Sequence, residues 1–244
     1  MEKARLVMNW DKDFLLPEQV PIIGTYHVAM MNDWVPLVQE QEARLVKSGL
    51  LGVTSKVFVG MVGDADVKKW QMTTELSSKA LIVRDPEIKH CENPTLNALY
   101  QEARSSPYFK AWYIHTKGIS SSLRTVGTKE MPAGDPEAIR DWRLVMEYFV
   151  IDRFKDCISI LNQCDVCGVK LQREHRYFSG NFWWANSTHL KRLPPVLGKD
   201  RLFAEKWVGM APGILRNLYN CEVSYTKRLP EEEYRPSSKE FGHG

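Results

Sequence analysis

Apolar positions in the first half of the chain come in short runs, separated by longer stretches at helical spacing. Tyr26-His27-Val28-Ala29-Met30-Met31 is such a run. It is closed by Asn32-Asp33 and predicts a buried strand. Val35, Leu37, Val38, Leu45 and Val46 then recur at helical spacing as far as Lys47, and Ser48-Gly49 ends the helix. Lys56–Val62 predicts a second strand running into Gly63-Asp64-Ala65-Asp66, Lys79–Val83 a third, and Lys110–Ile114 a fourth that ends at His115-Thr116-Lys117-Gly118. Pro94–Ala103, with proline at its start, predicts a helix between the last two. The polar stretch Ile119–Asp135 reads as a long mobile loop, a type that is often functional. Two helical patterns follow, Pro136–Val150 and Asp152–Gln163, and then a strand over Asp165–Leu171. Short helices are expected near Ser187–Leu193 and Arg201–Val208, and the charged tail Glu231–Gly244 is expected to fray.

This alternation predicts an α/β fold, an open and mostly parallel twisted sheet flanked by helices. In such sheets the ligand crevice lies outside the carboxyl ends of the strands. Asn32-Asp33, Asp64-Ala65-Asp66, Asp85 and His115-Thr116-Lys117 all fall just after predicted strands, so they should converge on one crevice.

Composition narrows the function classes. The 33 basic and 30 acidic residues nearly balance, which argues against a general nucleic-acid binder. No apolar run approaches the length of a transmembrane helix, and the N-terminus lacks the apolar core of a secretory signal. A cytoplasmic protein, at most peripheral to a membrane, is the expectation. The five cysteines are odd in number and fit a reducing compartment. Cys164 and Cys167 have CxxC spacing without a second pair, so they read as core residues. The eight tryptophans and nine tyrosines exceed what a core of this size usually needs and suggest a surface that stacks on ring-shaped ligands.

Three segments carry candidate chemistry. Asp64 and Asp66 form a D-x-D pair that would hold Mn2+ or Mg2+ beside a nucleotide diphosphate, or else a solvated turn, or a single Asp contacting a nucleobase or ribose. His115, Thr116 and Lys117, followed by Gly118, Ser120-Ser121-Ser122 and Arg124, offer cations, hydroxyls and backbone amides to a phosphate. Phe178-Ser179-Gly180-Asn181-Phe182-Trp183-Trp184 suits a sugar, with an amide to read hydroxyls and an indole face to pack on the ring. Adjacent strand residues point to opposite faces, so one of Trp183 and Trp184 is expected in the core and the other facing ligand. Glu205 and Glu147 gain interest only from context. His27, His90 and His189 read as structural.

The order of these elements resembles the GT-A type of nucleotide-sugar glycosyltransferases, and more narrowly capsule and glycan transferases of bacteria and large algal viruses. The matching segments are Asn32-Asp33-Trp34, Val62-Gly63, Glu92–Leu96, Tyr113–Gly118, Trp142–Phe149, Phe178–Ala185 and Ala204–Trp207, spanning about Tyr26 to Gly209. The resemblance implies one GT-A-like domain over 1–244. Residues 25–135 would bind the nucleotide sugar, 136–210 would serve acceptor and catalysis, and 211–244 would extend the C-terminus. It implies an inverting hexosyl- or deoxyhexosyltransferase that takes a nucleoside diphosphate sugar, UDP-linked by preference, to a glycan or lipid-linked sugar. Asn32, Asp64, Asp66, His115, Thr116 and Lys117 would hold the donor. His175, Asn181, Trp183 and Trp184 would hold the acceptor, and Glu205 would be the catalytic base. The family's metal motif normally follows the fourth strand, where this chain has His115-Thr116-Lys117. Either these residues neutralise the diphosphate without metal, or Asp64 and Asp66 supply the cation from an atypical place. A glycan-binding module without turnover and a glycoside hydrolase with paired carboxylates are the alternatives. An apolar patch in the last third would support a homodimer.

Overall fold

Strand-forming runs that are apolar at nearly every position need cover on both faces, and the runs over Ile22–Ala29, Lys56–Val62 and Lys110–His115 receive it, while Leu81 and Ile82 of the edge strand Ala80–Asp85 stay exposed. A computed structural model describes residues 20–118, 124–126, 129–131, 134–196, 201–220 and 226–235. Strand β1 (Ile22–Ala29) leads through α1 (Trp34–Lys47) and the single turn α2 (Leu50–Val53) to β2 (Lys56–Val62). The turn α3 (Thr74–Ser77) precedes β3 (Ala80–Asp85), and α4 (Asn93–Ser105) precedes β4 (Lys110–His115). These bounds follow the sequence pattern closely, though β1 begins four residues before its most apolar run.

The segment read as a loop carries a short antiparallel pair among its described residues, β5 (Arg124–Val126) with β6 (Lys129–Met131). Ser120-Ser121-Ser122, Cys221 and the tail after Arg235 lie outside the described residues. Helix α5 (Pro136–Glu147) opens on Asp135, whose carboxylate accepts the Glu137 amide, and widens into a π turn over Tyr148–Asp152 before α6 (Phe154–Ile160). Then come β7 (Val166–Gly168), the small hairpin β8 (Leu171–Gln172) and β9 (Tyr177–Phe178), β10 (Trp183–Asn186), α7 (Ser187–Leu190), α8 (Arg201–Trp207) and β11 (Leu215–Asn217).

One seven-stranded sheet results, in the order β11-β7-β10-β4-β1-β2-β3. All its strands run the same way except β10, which is antiparallel to both β4 and β7. The link from β7 to β10 holds a hairpin and no helix, so the chain returns antiparallel instead of crossing over. The succession β1, β2, β3 builds outward on one side of β1, while β4 lies on its other side. The sheet therefore switches direction between β1 and β4, the place where an open α/β sheet leaves a crevice.

Helices α1, α5 and α6 cover one face, over Tyr26, Val28, Trp112, Ile114 and Trp184. Helices α4, α7 and α8 cover the other, over Ile23, Ala111, Tyr113, Trp183 and Ala185. Gly24 is dictated by this packing. A Cβ there would come within 2.2 Å of the Trp112 ring on the paired strand, whose indole N–H donates to Thr54 Oγ1 at 3.0 Å. Trp34, Trp142 and Trp207 pack as their helical spacing suggests, at 2%, 5% and 0% exposure. Among the described residues no helix is long and apolar enough to cross a membrane.

Candidate functional site

Three chain segments meet at the carboxyl edge of the sheet. The end of β4 brings His115, Thr116 and Lys117. Because β10 runs the other way, the turn before it, Gly180-Asn181, lies beside them. Glu92, at the mouth of α4, completes the group. Helix N-termini favour a carboxylate there. Glu92, His115, Thr116, Lys117 and Gly118 line one side of a cavity of about 260 Å³, which His27 and Ala29 of β1, Met31 just after it, and Ile88 and Cys91 of the β3–α4 link complete.

The geometry fixes the protonation pattern of His115. Its Nε2 lies 2.8 Å from the Gly180 carbonyl, which can only accept, so Nε2 carries the hydrogen and donates it. Nδ1 faces Glu92 Oε1 at 3.9 Å. The other oxygen of Glu92 accepts from Tyr113 Oη at 2.6 Å and from the Asn181 side-chain amide. Burial pushes the Tyr113 phenol well above its ordinary range, with the charge of Glu92 adding, so it stays protonated as a donor. His27 sits opposite His115 on β1 and bonds Thr95 Oγ1 at 2.9 Å. Burial, with the charge of His115 adding, lowers its pKa to about 4 against the pull of Glu92, so His27 is neutral at pH 7. Thr116 Oγ1 accepts the Ala29 amide at 3.0 Å and ties the β4 end to β1.

The backbone at this edge is also unusual. Asn32, Cys91 and Asn181 have φ of 52°, 50° and 57°, and Gly63, Gly118 and Gly180 are positive as well. Strain of this kind gathers at binding sites, where the surrounding structure holds it. At Gly180 the constraint is double. Its φ is 92°, and a Cβ would lie 2.5 Å from Met146 Sδ and 3.3 Å from Trp142 Nε1 of α5.

Several expected site residues are elsewhere. Trp183 and Trp184 do point to opposite faces, but both are fully buried, so the expectation of a ligand-facing indole is corrected. Their strand is interior and its sheet is covered on both sides. Trp183 donates to Asn181 Oδ1 at 2.8 Å and stacks on Tyr113. Trp184 donates to the Val150 carbonyl at 2.8 Å, within the π turn. Asn181, only 1% exposed, orients Glu92 and Trp183 instead of meeting solvent. His175 lies exposed on the β8–β9 turn beside Tyr177, away from the cavity. Glu205 on α8 does not line the cavity. Its Oε1 accepts the Gly180 amide at 3.0 Å, one residue's breadth from His115. Asn32 is exposed just after Met31 of the cavity wall.

Asp64 and Asp66 are exposed on the turn after β2 and do not line the cavity. The Asp66 carboxylate accepts the Lys68 amide at 2.9 Å and so caps a 3-10 turn. Among the described residues no three His, Cys, Asp or Glu side chains gather to hold a metal ion. The Asp64/Asp66 pair lies outside the cavity, with Asp66 engaged in its cap. Cys157, Cys164 and Cys167 are buried free thiols, as their spacing suggests, whereas Cys91 is half-buried at the cavity.

The chain belongs to the family described as a domain of unknown function, DUF8361, whose pattern spans residues 32–196. It is similar to the solved Rv0371C complex with manganese from Mycobacterium tuberculosis, at 13% identity and a TM-score of 0.44, covering 82% of this chain and 88% of that one. It is similar also to HddC from Yersinia pseudotuberculosis, at 10% identity and a TM-score of 0.42, covering 82% and 90%. No curated protein matches the chain.

Proposed function

We propose that this member of the family is a GT-A-like glycosyltransferase that moves a sugar from a nucleoside diphosphate donor, UDP-linked by preference, to a glycan hydroxyl. The observation that carries the reading is the buried His115–Glu92 pair in a cavity at the switch point between β1 and β4. With Nε2 pinned to Gly180, the Nδ1 lone pair of the neutral ring is a proton acceptor, and a carboxylate stands where the resulting imidazolium needs one. The acceptor hydroxyl oxygen bonds to the anomeric carbon as the bond from that carbon to the diphosphate breaks. The hydroxyl proton passes to His115 Nδ1, and the electron pair leaves with the diphosphate. Lys117, which lines the same cavity, offsets the charge that develops there. Glu205, the base that the family resemblance implies, acts here through the Gly180 amide, holding the turn that orients His115.

A screen of nucleotide sugars for donor hydrolysis, with and without a glycan acceptor, tests this. Turnover of one donor is expected, falling about 10²–10⁴-fold in His115→Ala. Absence of turnover with all donors, together with sugar binding, would favour a glycan-binding module instead.

A further inference from the structure

The two edges of the seven-stranded sheet are built differently. The edge at β11 is three residues long and carries Arg216 and Asn217. The edge at β3 is six residues long, contains no proline, and carries Leu81 and Ile82 at 47% and 48% exposure. Its backbone groups alternate between its two sides. The Lys79 carbonyl accepts the Val57 amide at 2.9 Å and the Asp85 carbonyl accepts the Gly63 amide at 2.8 Å, so Lys79, Leu81, Val83 and Asp85 are turned toward β2. Ala80, Ile82 and Arg84 turn their amides and carbonyls outward, and no strand pairs with that side among the described residues. The side chains alternate too. Ala80 and Ile82 line a groove of about 340 Å³ with Met61, Val67, Trp70 and Met72, while Leu81, beside Phe58, takes the other face. An edge with apolar side chains on both faces is a template for another strand, and proteins blunt or cover such edges.

We propose that the β3 edge is the docking surface for a second copy of this chain, which adds its own β3 antiparallel to the first. The inference stands apart from the transferase reading. The occupant follows from the strand's own sequence, Lys79-Ala80-Leu81-Ile82-Val83-Arg84-Asp85, which complements itself when reversed about Ile82. Setting Ile82 opposite Ile82 of the other copy puts the outward residues in hydrogen-bonded pairs, Ile82 with Ile82 and Ala80 with Arg84. Leu81 then meets Val83 on one face, and the paired Ile82 side chains sit between the two grooves on the other. Lys79 falls opposite Asp85 at both ends, so opposite charges meet there. Each also keeps a partner in its own chain, Lys79 in the Leu51 carbonyl and Asp85 in His90 at 2.8 Å. A patch that complements itself gives a closed two-fold contact, which stops at two copies.

Sedimentation velocity of the full chain across a concentration series provides the test. Wild type is expected to be a dimer. Ile82→Lys sets two cations face to face at the centre of the pairing and should raise the dissociation constant at least about thirtyfold, as should Ile82→Glu with two carboxylates. Ile82 is half-exposed within one chain, so both variants should keep the far-ultraviolet dichroism of wild type. Mixed in equal amounts, the two variants should re-form a dimer, because a cation then faces a carboxylate. The Ala80, Ile82 and Arg84 amides should exchange slowly in wild type and fast in either variant alone. A monomeric wild type overturns the proposal, and slow exchange of those amides in that monomer would assign the edge to another stretch of the same chain. A dimer that survives both substitutions overturns it as well, since the contact then lies elsewhere. Failure of the mixed variants to pair overturns the register about Ile82.

Discussion

Two buried glutamates on opposite sides of the sheet show how the chain separates scaffold from site. Glu147, at the end of α5, is fully buried, and both its oxygens are taken. Oε1 accepts from Gln41 at 2.8 Å and Arg143 at 2.9 Å, and Oε2 from Arg44 at 3.0 Å. Glu92 is nearly as buried, at 8% exposure, yet its bonds are one-sided. Tyr113 and Asn181 share Oε2, while Oε1 looks toward His115 and the cavity. A buried carboxylate with every lone pair used can only hold the fold. One with an oxygen turned to an imidazole at a cavity can stabilise a charge that appears and disappears. The two are joined through Gln41, whose amide donates both to Glu147 and to the His115 carbonyl at 3.1 Å.

The largest effect that would sharpen this contrast is on stability. Glu147→Ala leaves two guanidinium groups buried without their shared partner, and should lower the free energy of unfolding by about 3–5 kcal/mol in a denaturant titration. A small loss there would break the division between the two glutamates. Next is the pH dependence set by His27. Its folded pKa of about 4 lies below the usual 6.5, so between those values the unfolded chain takes up a proton that the folded one refuses. The His27 contribution is complete above pH 6.5 and is lost as pH falls toward 4, about 3 kcal/mol in all. His27→Gln should flatten that part of the unfolding curve, and an unchanged slope would contradict a neutral His27 at the cavity.

Glu92→Gln keeps an acceptor for Tyr113 but removes the charge facing His115. Turnover should fall about a hundredfold while stability changes by less than about 1 kcal/mol, the reverse of the Glu147 result. The smallest effect is expected at Glu205. Glu205→Gln retains an oxygen for the Gly180 amide, so steady-state transfer should drop by less than about tenfold. A complete loss of transfer with donor binding intact would return the role of base to Glu205.

Much of this was legible in the residue pattern. The bounds of β2 and α1 follow directly from apolar spacing, and His115-Thr116-Lys117 stood out because a polar cluster ends a buried strand. The partners of Glu92 and His27 were not legible because they are distant in sequence. Glu92 meets Tyr113 and Asn181, and His27 meets Thr95. One signal did exist for Glu92, a carboxylate before a proline-started helix that leaves the same sheet edge as the other polar clusters. The tryptophan pair misled for the opposite reason. Alternation along a strand says which face each indole takes, but cover on both faces is a property of the assembled sheet.

Hydrogen exchange of the backbone amides, followed with and without a saturating nucleoside diphosphate (UDP, GDP or CDP), tests the central claim most directly. The site described here predicts slowed exchange at residues 27–31, 88–92 and 115–118, the segments that line the cavity at the β1–β4 switch point. No change with any of the three, or protection confined to another surface such as the Arg44–Asp152 cleft, would contradict it.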